Sequence, residues 1–195
     1  PDIASAADGL SLTHGPLLSN EGAGVWRLNT NLSIGENVTL RITPDTVTWL
    51  KLRSDTSPFT DTIDSASFAR LYGANARLLI SGTKITSWDT VANAFDTTPK
   101  NGRAFVLVED ASRMDIVNSE IAYLGSPQGG GSYGISWRDE RMIGGELVAG
   151  VTGDVIGSDI HHNYYGFFTY AASGMTIRAN KFRDNDSYGF DPHDF

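Results

Sequence analysis

The 195-residue chain carries 15 Lys and Arg against 23 Asp and Glu, a formal net charge of −8, with 21 glycines and no cysteine. That length suits one domain with a sizeable core or part of a larger one, and 10% aromatic residues argue against disorder. The lack of cysteine excludes a disulfide scaffold, a thiolate zinc site and a catalytic thiol, while the acidic balance argues against nucleic acid as the main partner. A polyanionic ligand fits this charge only where cations gather in one groove. No apolar run approaches the ~18 residues of a membrane span. Pro1, Asp2 and Ile3 lack the basic start and apolar stretch of a signal peptide. The chain starts at Pro1 without Met and stops at Phe195 just after a polar cluster, so the natural protein is expected to extend at both ends.

In chain order, His14 sits in a polar Gly/Pro context that reads as surface, and Val25, Trp26, Trp49 and Leu50 read as core or cap packing. Val38 to Ile42 and Val47 to Leu52 are short β-rich runs, and the best helix candidate is Ser65 to Leu71. Phe105 to Val108 is another β-rich run; Gly, Asn, Asp and Ser separate such runs, which suggests an all-β fold. Internal repetition narrows the choice. LLISGTKI from Leu78, MDIVNSEI from Met114, GDVIGSDI from Gly153 and MTIRANKF from Met175 align without gaps. Their third position is always aliphatic (Ile80, Ile116, Val155, Ile177) and their last is Ile or Phe (Ile85, Ile121, Ile160, Phe182). FVLVEDASRMDIVNSEI from Phe105 also matches GFFTYAASGMTIRANKF from Gly166, and Tyr-Gly recurs at Tyr133, Tyr165 and Tyr188.

The starts of the four segments are 36, 39 and 22 residues apart. A period near 22 reads as one coil of a parallel β-helix, a solenoid in which each coil is too small to bury its own apolar face. The longer steps need insertions, and Gly125 to Gly150, with its glycine run and the charged patch Arg138 to Arg141, reads as a long loop between coils. The competing fold is a β-sandwich with coincidental strand similarity. The expected layout is a cap with irregular first coils over residues 1–75, then regular coils over 76–195.

The last stretch carries the chemistry. His193 stands between Asp191 and Asp194, five residues after Tyr188. Histidine moves protons near neutral pH, and a neighbouring carboxylate orients its ring. On an ideal strand Asp191 and His193 share a face and Tyr188 points away, so a bend near Gly189 is needed to bring Tyr188 round. Adjacent His161 and His162 should face opposite sides of a strand, which argues against a metal site there. Asp184, Asn185 and Asp186 are possible calcium ligands or merely the polar turn that a β-helix needs.

The string YGFDPHD, Tyr188 to Asp194, together with the preceding YYGFFTYAASGMTIRANKFRDND, resembles the signature of the mannuronan C5-epimerases of alginate biosynthesis. The similarity covers about residues 78–195, and the first 75 only loosely. The resemblance implies a right-handed parallel β-helix acting on polymeric mannuronate in the periplasm or outside the cell, with no required cofactor. It assigns proton transfer to His193 and Tyr188, and matches Asp191 to the carboxylate essential to the motif and Asp194 to the acidic residue that closes it. It also implies a basic residue for the sugar carboxylate one or two coils after the motif, beyond Phe195, so that the β-helix is incomplete at its C-terminus. Aligning the Tyr-Gly ladder places Arg138 and Tyr170 in the column of His193, and Ser136 and Phe168 in that of Asp191. Arg138 is then expected to hold a carboxylate and Tyr170 to stack on a sugar, unless Arg138 only pairs with Asp139 or Glu140. Two other functions share the chemistry or the surface: a polysaccharide lyase, which also removes the C5 proton, and a β-helix module that only binds polysaccharide.

Overall fold

The computed structural model describes residues 16–55, 68–129, 131–148 and 150–193. These form three long sheets with no α-helix among the described residues. Sheet one holds β1 (Leu18–Gly22), β2 (Val25–Leu28), β5 (Trp49–Arg53), β8 (Lys84–Trp88), β11 (Glu120–Ala122), β16 (Asp159–His161) and β19 (Lys181–Arg183). Sheet two holds β4 (Thr39–Ile42), β7 (Arg77–Ser81), β10 (Arg113–Val117), β15 (Asp154–Ile156) and β18 (Thr176–Arg178). Sheet three holds β3 (Leu32–Ile34), β6 (Arg70–Ala74), β9 (Phe105–Glu109), β12 (Gly134–Arg138), β17 (Tyr165–Tyr170) and β20 (Asp191–His193).

From β3 onward the chain visits sheets three, two and one in turn, five times over, before β20 returns it to sheet three. Every pairing in these sheets is parallel except that of β1 with β2. This is a right-handed parallel β-helix, in keeping with the hand that parallel crossovers take.

The repeats are the coils. Ile42, Ile80, Ile116, Val155 and Ile177 stand in one ladder, and Leu50, Ile85, Ile121, Ile160 and Phe182 in another. Both ladders are buried through most of their length, and with Leu71, Val106 and Ile135 of sheet three they make one continuous core. Each such side chain contributes about 1.5–3 kcal/mol by leaving water. Gly153 breaks the Leu78–Met114 column for a steric reason: a Cβ there would lie 1.8 Å from the Met114 carbonyl oxygen and 2.7 Å from Trp137 Nε1. Trp137, fully buried, fills that space and donates its indole N–H to Met114.

The turn between sheets two and one explains the polar positions of the repeat. Gly82, Asn118, Gly157 and Ala179 all take positive φ, between 48° and 64°. The next residue offers a side-chain oxygen to the N–H above it: Thr83 N–H donates to Ser119, Ser119 N–H to Ser158 and Ser158 N–H to Asn180. Buried turn amides are thereby satisfied coil by coil.

Two local expectations need correction. Arg70 and Leu71 lie in β6, not in a helix, because Leu71 stacks between Leu32 and Val106 and that pairing outweighs a weak helical preference; residues 65–67 lie outside the described residues. Residues 125–150 are not one loop. They contain β12, whose Ile135 and Trp137 face the core, and the excursion proper follows Arg138 and includes the hairpin β13 (Met142–Ile143) with β14 (Glu146–Leu147). Residues 18–53 stack in register on the later coils through β2–β5–β8, β3–β6 and β4–β7. Trp26 packs on the core and Leu50 is fully buried, as expected of them.

Candidate active site

Among the described residues β20 is the last strand of sheet three, and it pairs with β17. Pro192 in its middle has no N–H to donate to a ladder. The strand's alternation sets Asp191 and His193 on the same face. Asp191 Oδ1 lies 3.1 Å from His193 Nε2, with the imidazole 54% and the carboxylate 17% exposed. The ring of Phe168 backs His193 at 5.4 Å. The imidazole is thus held from two sides while remaining open to solvent.

The columns drawn from the Tyr-Gly ladder are present. Glu109, Arg138, Tyr170 and His193 stand in one register, and Leu107, Ser136, Phe168 and Asp191 in the next. A bulge between Gly134 and Ser136 absorbs one extra residue of β17, so the tyrosines themselves are not in strict register. The glycines after them have a clear role. A Cβ on Gly134 would lie 2.4 Å from the Tyr165 carbonyl oxygen, and one on Gly166 would lie 2.5 Å from that of Gly189. Each glycine lets the next turn settle on its coil, and Gly166 N–H donates to the Tyr188 carbonyl at 2.8 Å.

Tyr188 lies in the bend that precedes β20, with Gly189 itself in the bend. Its side chain is 55% exposed, and its ring meets Tyr165 edge-on at 5.1 Å. The hydroxyl of Tyr165 is pushed up by burial, with Tyr164 and the Asp191 charge adding to the shift. Asp194 and His14 lie outside the described residues. Arg138 is ion-paired with Glu140 and faces Glu109 at 4.0 Å, while Asp139 instead holds Arg141. Arg138 therefore stands in the expected column and also makes the local pair. Tyr170 is half-buried between Arg138 and His193.

The histidine pair departs from expectation. β16 ends at His161, and His162 takes φ 55°, which swings its ring back. The two Nδ1 atoms come within 2.7 Å instead of facing opposite sides, and His161 Nε2 meets Glu120 at 3.3 Å. Asp184, Asn185 and Asp186 are engaged in the turn. Asp184 pairs with Arg183, Asn185 accepts from Asn163 N–H, and Asp186 pairs with Arg103.

Arg103 is the residue that local sequence did not single out. Its side chain is 2% exposed. It donates to the carbonyls of Gly125, His162 and Leu124 and to the Asp186 carboxylate at 2.9 Å. Burial pushes its guanidinium down, and Asp186 and Asp96 hold it up. Arg103 braces three successive turns, the last of which leads into Tyr188 and β20. No motif surrounds it, since its partners are 21 to 83 residues away.

No family model matches the chain. It is similar to curated mannuronan C5-epimerases: 32% identical over 124 residues to that of Pseudomonas fluorescens, and 33% over 128 residues to that of Pseudomonas putida. The matches cover 62% of this chain and 23% and 24% of those proteins, so the chain spans about a quarter of the length of these relatives. Among solved structures, the periplasmic alginate epimerase AlgG superposes with a TM-score of 0.79 at 23% identity, over all of this chain and 43% of that one. The chain thus resembles the mannuronan C5-epimerases in sequence over some three fifths of its length and shares the β-helix fold of AlgG throughout.

Proposed function

We propose that the chain acts on poly(β-D-mannuronate) as a C5-epimerase, an isomerase of alginate biosynthesis working in the periplasm. The observation that carries this reading is the Asp191–His193 pair, 3.1 Å apart on β20 of sheet three, in a chain similar to mannuronan C5-epimerases. The C5 proton lies α to a carboxylate. Removing it builds negative charge on that group, which a cation or strong donor must offset. One group must take the proton from one face of the ring and another must deliver one to the opposite face.

His193 is assigned as base. Asp191 lies 3.1 Å from its Nε2, and the tautomer assigned to the reaction keeps the proton on that nitrogen and leaves the lone pair on Nδ1. Nδ1 takes the C5 proton, the electron pair spreads into the sugar carboxylate, and Tyr188 or a water protonates C5 from the other side. Asp194 is assigned with Asp191 to holding the motif. Arg138, two coils from His193, stands roughly 9–10 Å away along the axis at the ~4.8 Å strand spacing. That distance suits a neighbouring sugar and not the reacting one, so Arg138 and Tyr170 are assigned to an adjacent subsite, with Arg138 exchanging Glu140 for a uronate carboxylate. The reaction as written needs no cofactor. Calcium at Asp184, Asn185 and Asp186 would have to displace the contacts that hold that turn.

The test is incubation of the full chain with polymannuronate in deuterated water. Epimerisation yields guluronate with deuterium at C5, and His193→Ala lowers the rate more than tenfold. Ultraviolet-absorbing unsaturated ends would identify a lyase instead, and binding without C5 exchange would identify a non-catalytic module. Retention of more than a tenth of the rate by the His193 variant would refute its role as base.

A further inference from the structure

We propose that the outward face of sheet two is a second binding surface for an anionic polysaccharide, separate from the site on β20. The ligand class rests on the polyuronate reading above. The surface is a cleft of about 200 Å³ lined by Thr39, Arg41, Arg77, Leu79, Arg113 and Asp115. Thr39, Arg77 and Arg113 stand in one register across β4, β7 and β10, and Arg41, Leu79 and Asp115 in the next.

The three arginines differ in what they face. Arg113 is neutralised twice, by Asp115 and Asp154, each at 2.7 Å. Arg41 and Arg77 are exposed, and neither side chain has a hydrogen bond or ion pair among the described residues. On a chain with a net charge of −8, two adjacent unpaired guanidinium groups are conspicuous. On sheet three, by contrast, Arg138 is bound to Glu140 and Arg70 lies over the Tyr72 ring. Free cationic forks for a carboxylate are therefore found on sheet two.

The shape selects a segment of polymer over a whole small molecule. Pockets that enclose a drug-sized ligand run to roughly 300–1,000 Å³, so this cleft takes one group of something longer. Half-buried Leu79 forms an apolar floor between the two arginines, suited to the C–H face of a sugar ring. A guanidinium fork pairs with a carboxylate bidentately. Successive coils advance ~4.8 Å along the axis, about the rise of one sugar, so neighbouring coils can meet neighbouring uronates. Duplex DNA carries a charge every ~1.7 Å, too dense for this spacing and repelled by the acidic remainder.

The test is calorimetric titration of the full chain with polymannuronate and with polygalacturonate at low salt, beside R41A/R77A. The double variant is expected to melt at the wild-type temperature and to bind both polymers at least fivefold more weakly. Its turnover of short oligomers should be unchanged, with a raised KM for long polymer. Affinity within twofold of wild type, or no binding of either polymer by the wild type, overturns the proposal. If the chain exchanges the C5 proton but R41A/R77A binds normally, the surface falls and the epimerase reading stands. If R41A/R77A loses binding and no exchange occurs in the wild type, the surface stands and the epimerase reading falls.

Discussion

Replacing Arg103 by Met keeps an unbranched side chain of similar reach and removes the guanidinium. Four hydrogen bonds go with it: those to Gly125, His162 and Leu124 and the pair with Asp186. Asp186 is 42% exposed and can rehydrate, so the remaining carboxylate adds little cost. The Leu124 carbonyl keeps the N–H of Tyr164, but those of Gly125 and His162 lose their donor, and each unsatisfied buried acceptor costs about 1–3 kcal/mol. The low end of that range over two groups gives a loss of about 2 kcal/mol. For a chain of this size that lowers Tm by about 4–8 °C. Urea unfolding at neutral pH measures it directly. R103M and Asp186→Asn should also be non-additive, coupling by at least about 1 kcal/mol. A loss below about 1 kcal/mol for R103M would refute the view that Arg103 ties the turns together.

Ile116→Ala opens a cavity in the middle of the stacked ladder between Ile80 and Val155, and should cost about 2–5 kcal/mol in urea unfolding. Gly166→Ala sets a Cβ 2.5 Å from the Gly189 carbonyl oxygen and must displace the turn before β20. Its epimerase rate should fall at least tenfold while Tm changes by only a few degrees. His161 gives a pH dependence. Burial lowers its pKa and Arg183 adds to that, against Asp159 and Glu120, so the ring is harder to protonate in the fold than in the unfolded chain. Its contribution to stability is complete above the unfolded histidine value of about 6.5 and shrinks as pH falls below it, because the unfolded chain then binds the proton more readily. Between pH 7.5 and pH 5.5 the wild type should lose more stability than His161→Asn, and equal losses would count against a buried neutral imidazole.

The coils were legible because stacking imposes the same demand at each level. Ile80, Ile116, Val155 and Ile177 meet the same core, so their spacing reports the fold directly. The Asp191–His193 pair was legible for a related reason: the two residues are two apart on one strand, and the pleat brings them to one face. β12 was obscured because Ser136 and the flanking glycines dilute its pattern, although Ile135 and Trp137 point inward. The early coils were obscured because their repeat is diluted by turns of unequal length.

Local order in the chain was enough to determine an acidic, cysteine-free solenoid and the columns that align Arg138, Tyr170 and His193, since parallel stacking turns sequence period into spatial register. Contacts between turns were decided by the tertiary structure alone. Arg103 finds Asp186 across 83 residues, and a positive φ at His162 reverses the geometry expected of adjacent histidines. Among the described residues, pairing likewise leaves Arg41 and Arg77 free while it occupies Arg138 and Arg113. Those outcomes depend on which polar groups meet when coils close upon one another, and a one-dimensional pattern carries no record of that meeting.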